Sequence, residues 1–236
     1  MPSAKLIFVT ATDTGVGKTL LTALLLTHLR ETGRRAFAIK PFCTGSRDDG
    51  RLLHCLQNHD LSLNEINPFY FSEPVAPLIA SRKHRRPVSL SQVLRHIQNL
   101  QRKLAVDPNP FTLLIEGAGG LLVPLGEGYT WANVIRKLDC DNIVVSANRL
   151  GTINHTLLTI KTLQDIVPKR LTVVLTSLLS PRKATPAARS NARTLAELLP
   201  STHLFQVPFL GPHPLRFQAL KKNQKKIKKV LARILA

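Results

Sequence analysis

Lys18 and Thr19, set directly behind Gly15-Val16-Gly17, are the residues of this chain best suited to chemistry. An ammonium and a hydroxyl at the end of a glycine turn suit a bound phosphate. The turn's backbone N–H groups surround the anion, the lysine adds a point charge, and the hydroxyl can hold Mg²⁺. The surrounding elements agree. Leu6-Ile7-Phe8-Val9-Thr10 is an apolar run of strand type, Ala11-Thr12-Asp13-Thr14 leads into the turn, and residues 20–30 carry helical periodicity. Strand, glycine turn and helix in that order form a phosphate-binding loop. Its usual spacing puts the first glycine at Thr12, and neither Thr12 nor Ala11 is one.

Two more strand ends carry chemistry. Ala36-Phe37-Ala38-Ile39 delivers Lys40 to a carboxyl end, where parallel sheets bind ligands. The loop behind it holds Thr44 and the adjacent acids Asp48 and Asp49, either of which can help hold Mg²⁺ or simply be a solvated turn residue. Phe111-Thr112-Leu113-Leu114-Ile115 ends in Glu116, the position from which an acid organises Mg²⁺ beside a phosphate loop. Gly117-Ala118-Gly119-Gly120 follows, small residues where backbone must come close to something.

Further strands read at 142–147, 171–175 and 204–207, and helices at 51–58 and 89–105. Leu150-Gly151-Thr152-Ile153-Asn154-His155 opens another helix, whose free amides suit a carboxylate or phosphate. His155 stands alone in those first turns and reads as structural. The segment from Asn67-Pro68 to Ala76-Pro77 is stiff with proline and reads as pocket wall rather than sheet.

The totals bound the answer. The 236 residues suffice for one α/β domain, 1–236, with a sizeable core, and no repeat or linker divides them. Neither a signal peptide nor a run of eighteen apolar residues is found, so no membrane partner is expected. Cys43, Cys55 and Cys140 are few, widely spaced and odd in number, which points to a reducing cytosol. The formal charge of +19 favours anionic partners, but the basic residues are spread along the chain, and nucleic acid is not the expected partner. One dense cluster, Lys221-Lys222-Asn223-Gln224-Lys225-Lys226-Ile227-Lys228-Lys229, lies within 217–236. There Ile227, Val230, Leu231, Ile234 and Leu235 recur at helical spacing, predicting a basic amphipathic helix packed by its apolar face.

Taken in order, the phosphate loop, Lys40-Pro41, the run from Glu116 to Gly120 and the run from Leu150 to His155 resemble dethiobiotin synthetase, an ATP-dependent ligase of biotin biosynthesis. The likeness covers residues 5–208. It implies a P-loop NTPase-like, three-layer α/β fold with a mostly parallel sheet of about seven strands, in a cytoplasmic homodimer. It implies conversion of 7,8-diaminononanoate, CO₂ or bicarbonate, and MgATP into dethiobiotin, ADP and phosphate, through a carbamate and a carbamic-phosphoric anhydride.

Carried over to this chain, the resemblance implies that Gly15, Val16, Gly17, Lys18, Thr19 and Leu20 hold the nucleotide, with Thr14 and Thr44 on the substrate. Lys40 would be the catalytic cation. Thr19, Asp49 and Glu116 would bind Mg²⁺, Asp49 being preferred to Asp48 because Leu53 follows it at the family's spacing. Glu116, Gly117, Ala118 and Gly119 would line the nucleotide site. Gly151, Thr152 and Asn154 would take the diamine's carboxylate from the partner subunit. Where the family reads adenine with Asn-Asp, this chain has Ser177-Leu178 after Thr176, and a hydroxyl offers fewer hydrogen bonds than an amide. Base selectivity is then relaxed, or adenine is contacted by backbone at Val207, Pro208 and Phe209. The alternatives are a partitioning or scaffold ATPase on nucleic acid, which needs a separate basic groove, and an amidoligase acting on another substrate.

Overall fold

The computed structural model describes residues 4–166, 170–183 and 185–236. β1 (Ala4–Ala11) is buried along its last six residues, as a parallel strand covered on both faces must be. Behind it the phosphate loop opens α1 (Lys18–Glu31), and β2 (Ala36–Ile39) follows. The next stretch is made of short pieces: β3 (Phe42–Thr44), α2 (Asp48–Leu56), α3 (Leu63–Ile66), β4 (Phe69–Phe71) and α4 (Pro77–Lys83). The 15-residue α5 (Leu90–Leu104) starts from a capping box at Ser89 and Gln92 and leads to β5 (Phe111–Glu116). A small ladder of β6 (Pro124–Gly126) and β7 (Tyr129–Thr130) precedes α6 (Trp131–Arg136). β8 (Asp141–Ala147), α7 (Thr152–Gln164), β9 (Leu171–Thr176), α8 (Pro186–Leu198) and β10 (His203–Val207) then alternate.

The central sheet has the order β10-β9-β8-β1-β5-β2, and every neighbouring pair is parallel. It has six strands where the resemblance implied about seven. β3 and β4 form a ladder of their own, because the chain leaves the sheet at Lys40-Pro41: the Lys40 N–H donates to Ile66 O at 2.9 Å, and Pro41 has no N–H to give. The proline-punctuated segment therefore supplies one short strand, paired outside the main sheet. Trp131 is fully buried beneath the site, its ring 5.2 Å from Phe8 and 5.7 Å from Phe42.

The single amphipathic helix expected at 217–236 is two helices, α9 (Phe217–Lys226) and α10 (Lys228–Leu235). Ile227, at φ −111° and ψ 18°, breaks them. Both pack against α1, where Gln224 Nε2 meets His28 Nδ1 at 3.0 Å, and Ile227, Leu231, Ile234 and Leu235 are buried. No helix among the described residues is long and apolar enough to cross a membrane.

Candidate active site

The phosphate loop is shaped by backbone. Gly17 caps α1 at φ 101°, a left-handed conformation, and a Cβ there would stand 3.3 Å from Thr176 Cγ2. The Thr176 hydroxyl in turn donates to Val16 O at 2.5 Å, so the end of β9 pins the loop. Ala11, one position before the loop's usual first glycine, is the last residue of β1 and keeps ordinary extended angles, so its methyl group causes no strain. Lys18 Nζ donates to Asp13 O at 2.9 Å. Burial brings its pKa down to about 8, against the pull of Glu116 in the other direction.

Register brings the other charged residues together. Ile39 pairs with Ile115, so Lys40 and Glu116 leave the sheet side by side. Lys40 Nζ lies 2.8 Å from Glu116 Oε1 and 3.3 Å from Thr19 Oγ1, and it also contacts Asp49 Oδ2. The Thr19 hydroxyl donates to Glu116 Oε1 at 2.6 Å. Glu116 is wholly buried, and its second oxygen, Oε2, has no hydrogen-bond partner among the described residues. Burial pulls the Lys40 ammonium down, but Glu116 and then Asp49 outweigh it, and its pKa is raised.

These groups open onto a cavity of about 810 Å³. Thr14, Gly15, Gly17, Lys18, Thr19 and Leu20 line it on the phosphate-loop side, and Lys40, Thr44, Asp49, Ala118 and Gly119 across from them. Asp48 points elsewhere, exposed and paired with Arg51 at 3.0 Å. The wall also includes residues that the sequence did not single out: Phe42, Cys43, Ser46 and the turn Pro212-His213-Pro214-Leu215-Arg216. Cys43 is no nucleophile there, because burial pushes its thiol up to about 11 despite the neighbouring Lys40.

Other expected site residues lie off this cavity. Val207 is buried and bonded through its carbonyl to Ser177 N at 2.9 Å, and neither it nor Pro208 and Phe209 lines the wall. Leu178 does line it. Val16, Glu116 and Gly117 stand behind the lining rather than in it. Gly151, Thr152 and Asn154 sit at the start of α7, outside the cavity. The Thr152 hydroxyl turns inward to Ser146 Oγ at 2.6 Å, while Asn154 is exposed.

A parallel sheet with a phosphate loop between its first strand and first helix, and a lysine and a glutamate on neighbouring strand ends, defines a P-loop NTPase-like α/β enzyme. The MinC:MinD cell division protein complex of Aquifex aeolicus shares that fold, with a TM-score of 0.62 at 15% identity over 98% of this chain and 96% of that one. A family model described as an AAA domain matches residues 5–213. The ATP-dependent dethiobiotin synthetase BioD of Methanocaldococcus jannaschii is 38% identical over 160 residues, 68% of this chain and 74% of that one. Its counterpart from Thermodesulfovibrio yellowstonii is 34% identical over 220 residues, covering 86% and 88%. The chain belongs to the ATP-dependent dethiobiotin synthetase family of biotin biosynthesis.

Proposed function

We propose that the chain closes the cyclic urea of dethiobiotin from 7,8-diaminononanoate, CO₂ and MgATP, and that the cavity between Lys18, Lys40 and Thr44 is where it does so. The observation that carries this reading is the position of Lys40 Nζ, held by Glu116, Thr19 and Asp49 beside the phosphate loop. At about 810 Å³ the cavity is within the usual range for sites that enclose a whole small ligand.

The donor set suits Mg²⁺. Thr19, Asp49 and Glu116 offer only oxygen, and an ion there would satisfy the orphaned Glu116 Oε2. Bound there, Mg²⁺ would neutralise charge on the nucleotide's phosphates. The protein's own groups do the rest. Lys18 and the loop amides hold the phosphates, and Lys40, kept protonated by Glu116 and Asp49, acts as a fixed cation rather than as a base. One amine of the substrate attacks CO₂ and loses a proton to give a carbamate, whose oxygen takes the γ-phosphoryl group as ADP leaves. The second amine attacks the carbonyl, phosphate departs, and the ring is closed. Lys40 stabilises first the carbamate and then the charge spread over the transferring phosphoryl group, while Thr14 and Thr44 orient the diamine.

A cytoplasmic homodimer completes the reading, with Gly151, Thr152 and Asn154 of α7 offering the helix start to the carboxylate of a diamine bound in the partner. Cys43 and Cys55 are free thiols, which agrees with a reducing compartment. Phosphate release by the purified protein tests the whole: it should require both the diamine and bicarbonate. Turnover stimulated by DNA without either would favour the scaffold ATPase instead.

A further inference from the structure

The fold gathers cations that the sequence spreads out. No acidic side chain follows Glu197, while eight lysines and arginines follow, from Arg216 to Arg233. Lys221, Lys222, Lys225, Lys226, Lys228 and Lys229 are all exposed, and none forms an ion pair with the described residues. Lys221 Nζ lies 4.8 Å over the ring of Phe217, which is itself 54% exposed. The opposite side of the pair is already covered: Leu220, Ile227, Leu231, Ile234 and Leu235 are buried in the protein. These helices therefore have no apolar face left to insert into a lipid surface.

The strip continues past the helices. Arg34 is exposed at the end of α1, and it and Lys228 both act on His28, whose pKa is lowered first by burial and then by these cations against Glu31. Lys5 Nζ donates to Leu235 O at 3.0 Å, tying the end of α10 to the foot of the sheet. There Lys5, Arg34 and Arg35 line a second cavity of about 580 Å³. Acids partly offset two of them, with Asp141 at 3.4 Å from Lys5 and Asp107 at 3.0 Å from Arg35. This groove lies at the amino ends of β1, β2 and β5, opposite the strand ends that carry Lys40 and Glu116.

We propose that the exposed face of α9 and α10, continued into this groove, docks the phosphate backbone of nucleic acid. α9 runs roughly 15 Å and α10 roughly 12 Å, and a duplex presents one charge per ~1.7 Å along its axis, so several lysines meet phosphates at once. Nothing on the face reads bases, and binding is therefore independent of sequence and sensitive to salt. None of these six lysines lines the ligase cavity, and the proposal stands whether or not that reading holds.

The test is fluorescence anisotropy with a labelled duplex of about 20 base pairs, titrated with the whole protein between about 50 and 200 mM salt. The parent should bind with a Kd of roughly 10⁻⁶ M or tighter at the low-salt end and lose affinity steeply with salt. Lys221→Glu/Lys225→Glu/Lys228→Glu should weaken binding by at least about tenfold, while the milder triple Gln variant should flatten the salt slope by about 0.9 for each phosphate left without its lysine. A melting temperature within a few degrees of the parent's reports that both variants are folded. Parent-like affinity in both variants overturns the proposal, as does absence of duplex binding at low salt, including the case in which vesicles of anionic lipid are bound instead.

Discussion

Lys40 Nζ stands 2.8 Å from Glu116 Oε1, and the distance is set by backbone. Ile39 and Ile115 face each other in a parallel register, so the next residue on each strand emerges at the same height over the phosphate loop. Thr19, one position into α1, completes the cluster with its hydroxyl 2.6 Å from the same carboxylate oxygen. Cations and anions that distant parts of the sequence supply are thus fixed by the sheet before any ligand arrives, which is the condition for charge stabilisation without reorganisation.

Glu116→Gln removes the buried counter-charge of Lys40 and one anionic oxygen donor at a stroke. The half-saturating Mg²⁺ concentration for phosphate release should rise by about tenfold or more, and kcat should fall by about 10². A magnesium titration checks both, and an unchanged magnesium dependence would remove Glu116 from the proposed metal site.

The two loop acids should separate cleanly. Asp48 is exposed and ion-pairs only with Arg51 three residues on, a contact screened by solvent, so Asp48→Asn should keep the parent's kcat/KM within about twofold. Asp49 touches Lys40, and Asp49→Asn should lower kcat/KM by about tenfold or more. Steady-state kinetics of the pair decide, and equal effects would contradict the geometry.

Strand ends were the legible part of this molecule. An apolar run that stops at Lys40 or Glu116 marks both the element and the side chain it delivers, and the strand, glycine turn and helix around Lys18 need only local pattern. The ladder of β3 and β4, the four-residue α3 and the β6–β7 pair are too short for periodicity to show, and α4 hides inside a proline-rich stretch. The wall from Pro212 to Arg216 carries no pattern at all. It joins the cavity only through tertiary packing, as α9 and α10 dock on α1.

Lys18 sets a pH limit on nucleotide binding. Its folded pKa of about 8 lies below the ordinary lysine value of 10.5, and a phosphate prefers the protonated form. ATP affinity should therefore be nearly full at about pH 7, fall about twofold by pH 8 as the proton leaves, and fall about fivefold more between pH 8 and 9 for a single site. Calorimetric titration of the protein with ATP across this range reads the change. A flat profile would mean that Lys18 keeps its proton or does not hold the phosphates.

Ala11 leads into the loop without cost, because its backbone is extended and its methyl group lies within the sheet. Ala11→Gly should leave the Kd for ATP unchanged and destabilise the fold by about 0.5–1 kcal/mol, a fall in Tm of roughly 1–4 °C. Thermal melting with and without nucleotide measures both, and tighter ATP binding by the variant would show that the methyl group obstructs the loop.

Product formation by Lys40→Gln beside the parent tests the central claim most directly. The amide retains an N–H for Glu116 but carries no charge, so ATP should still bind within a few fold by calorimetry. With 7,8-diaminononanoate, bicarbonate and MgATP supplied, dethiobiotin measured by mass spectrometry should fall by at least about 10². Dethiobiotin made at the parent's rate would show that the Lys40 cation does not stabilise the reacting groups.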